Sequence, residues 1–312
     1  MRNAFADELG NICKTNSKVI MLSADIGNRL FDNFKLNFPD RFYNCGVAEA
    51  NTIGLTAGLS LSGFHPIAYT IAPFITFRCI EQIKIDLCYH NFPAIIVGVG
   101  AGLSYASLGA THHSCEDIGI LKTLPNMTII CPGDAYEVRA ALRAALKHPG
   151  PVYLRLGKKG EPLIHSQIPE FTIGKGIVIR EGNDICILST GTILPTAVEV
   201  AKKLQEQNIT TKLVSLHTVK PLDVELLSQI TKKFKLIITL EEHSIIGGLG
   251  SSIADWVMDH ASNSQTKLLR FGTPDRFSQT TMGRENAHRT FGLTPEAIIN
   301  KIKLCLENKH EN

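Results

Sequence analysis

Short, nearly unbroken apolar runs recur along this chain, each followed by a longer amphipathic segment. That alternation constrains the fold more than any other feature. VIMLS (residues 19–23), HPIAYTI (65–71), PAIIVGV (93–99) and VYLRL (152–156) are too short for helices. Such runs suit parallel strands covered on both faces. Helices are expected between them at residues 4–13, 49–61, 75–89 and 135–147, with a further strand at 127–131. Strand and helix in strict alternation predict an α/β fold, a mostly parallel sheet flanked by helices.

At residues 157–172 the texture turns polar and proline-bearing (KKGEPLIHSQIPEF), which reads as a surface linker. A second series then begins. Strands are expected at 174–180, 184–189, 211–215, 236–240 and 267–271, and helices at 194–207, 224–233, 249–260 and 295–306. The reading is two α/β domains, 1–157 and 174–312, joined by a linker at 158–173. The 312 residues, 44% hydrophobic and 20% charged, are enough for two cores.

A formal net charge of +3 gives no support to a nucleic-acid or membrane-surface role. No apolar run approaches the ~18 residues of a membrane span. The eight cysteines fall singly, without CxxC, as unpaired thiols of a reducing compartment do. The opening residues MRNAFADELGNICK carry acids and lack the apolar core of a signal peptide. A cytoplasmic protein is expected.

The stretch GVAEANTIGLTAGLSLSGFHPIAYTIAPFITFRCIEQ (46–82) holds the chemistry. Glu49 is a lone carboxylate among apolar and small residues. It stands in the first helical turn, where the macrodipole favours a negative charge. Phe74 and Phe77 follow one strand later. An acid facing an aromatic platform is what an enzyme needs to hold a flat heterocycle and exchange a proton with it. A buried βα unit with an incidental Glu is the plain alternative. The triplet His112, His113 and Cys115 suggests a metal site, but adjacent histidines cannot easily aim at one ion and no further ligands cluster nearby, so no metal site is expected. In LEEHSIIGGLGSSIAD the glycines do not satisfy GxGxxG with an acid downstream, so no dinucleotide site is expected.

GVAEAN, PIAYTIAPFITFRCIEQ, GATHHSCEDIGILKTLPNMTIICPGDAYEV and GPVYLRL, in that order, resemble the pyrimidine-binding domain of the transketolase family. The segment from about residue 174 resembles that family's C-terminal domain, so the resemblance covers essentially the whole chain. It implies an enzyme that uses thiamine diphosphate, the cofactor supplying the electron sink. Glu49 matches the glutamate that protonates the aminopyrimidine ring, an acid–base role that activates the thiazolium carbon. Phe74 falls where a ring stacks on the aminopyrimidine, and Phe77 and Ile71 fall on flanking wall positions. Asp25, in SADIG, resembles an acid near the cofactor at the subunit contact. His112 matches a histidine that hydrogen-bonds oxygens of the donor sugar. Arg155 resembles an arginine gripping the sugar phosphate, and Arg2 stands where a second phosphate-binding arginine falls.

The departures from the family pattern carry as much information. Where transketolases place an acid four residues before the histidine, this chain has Leu108, and residues 100–107 lack the basic or histidine residue that often binds an acceptor phosphate. Both put the standard pentose and hexose phosphates in doubt. Nothing matches the GDG…N motif that holds Mg²⁺ and the diphosphate. The resemblance therefore implies a partner, an N-terminal diphosphate-binding subunit that binds most of the Mg²⁺ site, in a two-plus-two heterotetramer with self-association through both domains. The leading expectation is one subunit of a split transketolase-like enzyme that moves a two-carbon ketol unit. The alternatives are a 2-oxo-acid dehydrogenase β-type subunit, a deoxyxylulose-phosphate synthase-like enzyme, and a non-catalytic paralogue.

Overall fold

A computed structural model describes residues 1–27, 29–262, 264–278 and 283–307. The strands of its first half are β1 (Val19–Ser23), β2 (Phe42–Asn44), β3 (His65–Ile71), β4 (Ile95–Val99), β5 (Thr128–Ile130) and β6 (Val152–Leu156). Those of the second are β7 (Ile177–Arg180), β8 (Ile185–Thr190), β9 (Thr211–Ser215), β10 (Thr218–Lys220), β11 (Leu236–Ser244) and β12 (Lys267–Thr273). They form a seven-stranded sheet of order β10-β5-β6-β4-β3-β1-β2 and a five-stranded sheet of order β12-β11-β8-β9-β7. Every pairing is parallel except β10 with β5 and β7 with β9. This is the expected fold class, two mostly parallel sheets flanked by helices.

Period-two alternation explains why the runs are apolar throughout. Ile67 and Tyr69 of β3, Ile95 and Val97 of β4, and Val152 and Leu154 of β6 face one core with Phe5 and Leu9. Their neighbours Ala68, Ile96 and Tyr153 face the opposite core. That second core does not stop at the domain boundary. It also takes in Cys186, Leu188, Val214, Leu227, Ile237 and Ile253 from the second half. β10 goes further and completes the first sheet.

The segment read as a surface linker is tied down. Asp134 Oδ2 accepts the backbone N–H groups of Ile164 (2.8 Å) and His165 (2.9 Å). His165 Nε2 lies 2.8 Å from Glu137 Oε1, and Phe171 stacks on His217 at 3.8 Å. The helix expected over 75–89 is broken into Ala72–Phe77, Ile80–Gln82 and a π-helical stretch, Ile83–Tyr89. Pro73 in the first turn starts it early, because proline there forfeits no helical hydrogen bond. Among the described residues no helix is long and apolar enough to cross a membrane.

Candidate active site

In parallel sheets, loops at the carboxyl ends of strands gather residues from distant parts of the sequence. Here Asp25 follows β1, Phe74 follows β3, the 100–116 loop follows β4, and Lys158 follows β6. Glu49 opens the helix Glu49–Leu61 and is 3% exposed. Its Oε2 accepts a hydrogen bond from Arg78 Nη1 at 2.9 Å.

Arg78 also joins Glu49 to the aromatic platform. Its guanidinium lies over the Phe74 ring, 4.5 Å from the centroid. The His112 ring meets Phe74 at 5.1 Å, inclined at 66°, and Tyr105 at 6.2 Å. Lys158 Nζ lies 4.7 Å from the centroid of Tyr105. Gly100 makes this packing possible, since it has φ +87° and any Cβ there would collide with the Tyr105 ring. Burial, reinforced by the neighbouring His113, lowers the pKa of His112 below the ordinary histidine value. Thr111 Oγ1 sits 3.0 Å from its Nδ1, which leaves Nε2 as the ring nitrogen outside that contact.

The other expected residues are placed less centrally. Ile71 ends β3 and packs its side chain against the core. Phe77 is 37% exposed at the end of the helix Ala72–Phe77. Asp25 is exposed at φ 51° and paired with Asn44, whose Nδ2 donates to Oδ1 at 2.9 Å. Arg2 is half-buried, and among the described residues its Nε has no hydrogen-bond partner.

Arg155 is a correction. Its side chain is 1% exposed, and Nε donates to Asp117 Oδ2 at 2.8 Å while Nη2 donates to the carbonyls of Ser114 and Glu242. A guanidinium so enclosed cannot reach a sugar phosphate. In β6 it shares a face with Tyr153, whose hydroxyl donates to the same Asp117 oxygen at 2.6 Å. Burial opposes the charge on Asp117, yet Arg155 holds its carboxyl below the usual range. Lys158 and Lys159 follow the end of β6, and Lys158 is the one set over the Tyr105 ring.

The glycine-rich loop before the helix Leu249–His260 is already filled. Glu241 accepts the backbone N–H groups of Leu249 (2.7 Å) and Gly250 (2.8 Å), so the chain's own carboxyl group fills the place an anionic ligand would take.

Comparison with known proteins decides the family. Residues 1–161 match the transketolase pyrimidine-binding domain and residues 174–298 the transketolase C-terminal domain. The chain belongs to the transketolase family. A putative transketolase C-terminal section from Methanocaldococcus jannaschii is 35% identical over 97% of this chain and 95% of its own length. A 6-deoxy-6-sulfo-D-fructose transketolase subunit from a Clostridium species is 33% identical over 99% and 95%. A solved split gene transketolase, an inactive β4 tetramer, superimposes with TM-score 0.90 at 33% identity, covering 98% of each chain.

Transketolase chemistry calls for an aminopyrimidine to be held, and the residues fit that group. Glu49 offers a buried carboxylate, Phe74 a half-buried ring beside it, and His112 a hydrogen-bonding edge nearby. Among the described residues no cluster of His, Cys, Asp and Glu is suited to a metal ion. Motif matching missed Arg78, Tyr105 and Lys158. Arg78 carried a readable signal, since it follows Phe74 at the i,i+4 spacing that brings helical side chains together.

Proposed function

We propose that this chain is the pyrimidine-binding subunit of a split transketolase, acting in the cytoplasm on sugar or sugar phosphate substrates and moving a two-carbon ketol unit between them. A partner subunit would carry the diphosphate-binding domain and the Mg²⁺ site, in a two-plus-two heterotetramer. The observation that carries this reading is the grouping of Glu49, Phe74 and His112, from three separate segments, around Arg78 and the loops at the carboxyl ends of the first sheet's strands.

Each residue has a task its surroundings suit. Glu49 holds and moves a proton at the ring nitrogen of the aminopyrimidine. Phe74 stacks against that ring and orients it. His112, biased toward the neutral form, hydrogen-bonds a ketose oxygen. Arg2 and Lys158 are the cations available for an anionic group on the sugar. Thiamine diphosphate, when bound, supplies the electron sink that lets a carbon–carbon bond break. The need for a partner is supported by the names of several relatives, which are transketolase subunits, and by the solved split gene relative that is inactive as a β4 tetramer.

Replacing Glu49 with Gln tests the reading. Ketol transfer by the complex with the diphosphate-domain subunit is expected to fall by at least ~10²-fold, with assembly unchanged by light scattering. Unchanged turnover would move the chain to the non-catalytic class.

A further inference from the structure

The two contacts that an aminopyrimidine would use are both taken in this structure by one side chain. Arg78 Nη1 is 2.9 Å from Glu49 Oε2, and the same guanidinium lies over Phe74 at 4.5 Å. A guanidinium and an aminopyrimidine are chemically alike here. Both are flat, both stack on an aromatic face, and both share a proton with the Glu49 carboxyl, the guanidinium as a permanent N–H donor and the ring nitrogen as an acceptor that becomes a donor once protonated. They therefore compete for one place. Glu49 also needs a partner in the absence of cofactor, because its side chain is only 4% exposed and a buried carboxylate without compensation is costly. Arg78 supplies that compensation from the C-cap of the helix Ala72–Phe77, with a side chain 53% exposed. It can withdraw into solvent by rotating its long stem, leaving the backbone where it is.

We propose that Arg78 is an internal placeholder for the aminopyrimidine, which neutralises Glu49 and covers Phe74 until cofactor enters and which must leave for proton exchange to begin. This rests on the thiamine diphosphate reading above. Arg78 would thereby lower cofactor affinity while protecting the empty half-site, and the cofactor would be captured only when its ring outcompetes the guanidinium.

The test is calorimetric titration of thiamine diphosphate with Mg²⁺ into the complex of the full chain with its diphosphate-domain subunit. Wild type, Arg78→Ala and Arg78→Lys are compared. Removing a competitor worth ~1.4 kcal/mol makes Arg78→Ala bind about tenfold tighter. Arg78→Lys, which keeps the charge but loses the flat stack, falls between the two. Stopped-flow loading is faster in Arg78→Ala than in wild type. If Arg78→Ala binds equally or more weakly while wild type binds well, Arg78 positions Glu49 instead, and the placeholder is overturned with the functional reading intact. If the wild-type complex binds no thiamine diphosphate, both are overturned.

Discussion

Arg155 and Asp117 form an ion pair sealed between the two halves of the molecule, Nε to Oδ2 2.8 Å, with side chains 1% and 0% exposed. Arg155 also donates to the carbonyl of Glu242 on β11, so the pair fixes the second sheet against the first. Glu242 extends the junction through Arg284 (2.7 Å), His288 (2.6 Å) and Thr192 (2.7 Å). Removing one partner leaves a buried charge uncompensated. Asp117→Ala is expected to cost about 3–5 kcal/mol in urea unfolding. A loss under ~1 kcal/mol, the range of exposed pairs, would contradict the sealed junction.

Where the sequence was legible and where it was not follows from physics. β1, β3 and β6 announced themselves because strands buried on both faces need apolar residues at every position. β2, reading Phe-Tyr-Asn at the exposed edge, has no such demand placed on it and gives no signal. β10 is three residues whose partner β5 lies far back in the chain, and local pattern cannot see that pairing. The helix Arg284–Phe291 is dominated by polar residues, yet two of them bind Glu242. Arg155 was misread by motif, although alternation along VYLRL already set it beside Tyr153 on an inward face. Glu49, Phe74 and His112 were legible as types at a spacing. The i,i+4 spacing of Phe74 and Arg78 was readable, but the double contact of Arg78 with Glu49 and Phe74 needed coordinates.

Glu241 makes stability depend on pH in an unusual direction. Burial pushes its carboxyl up to about 7 against the backbone N–H groups that favour the charge. The folded chain then holds a proton that the unfolded chain, at an ordinary value near 4.5, has released. Its contribution is full below pH about 4.5 and is lost as pH rises through about 7, at most roughly 3 kcal/mol. His243, lowered to about 4 by burial, works oppositely, losing stability as pH falls below 6.5. The wild-type profile is therefore flattened. Glu241→Gln should unmask the histidine arm in the variant's own profile, and the variant's stability relative to wild type should climb from about pH 4.5 to 7 and level off above it in parallel urea titrations. A pH-independent difference would refute the assignment.

Leu108 bears on which sugar is used. It is 51% exposed beside Gly109, on the same loop as His112. An apolar side chain cannot reward a substrate hydroxyl, and a site that hydrogen-bonds such a group discriminates far more strongly than one that does not. Over a panel of ketose donors, we expect kcat/KM for xylulose 5-phosphate to lie well below that for a donor deoxygenated or otherwise substituted at the carbon facing Leu108. Leu108→Asp should shift that ratio toward the hydroxylated donor by at least about tenfold. Ordinary efficiency of the wild-type complex with xylulose 5-phosphate would sink the idea.

The last prediction concerns the helix that carries Glu49. Its outer face leaves Leu55 45% exposed and Leu61 73% exposed, and the adjoining stretch Ile83–Tyr89 leaves Ile85 44% and Tyr89 78% exposed. The patch begins less than two turns from the Glu49 carboxylate, so a subunit covering it would also close on the candidate site. If the half-site is completed by other subunits, assembly and cofactor binding must fail together. Leu55→Arg places an unpaired charge at the end of the patch next to Glu49 without touching the buried face formed by Ile53, Thr56 and Ala57. Its expected result is loss of the multi-chain species in light scattering, with the circular dichroism of the folded chain retained and thiamine diphosphate binding abolished. Intact assembly with normal binding would place the subunit contact on another face of the molecule.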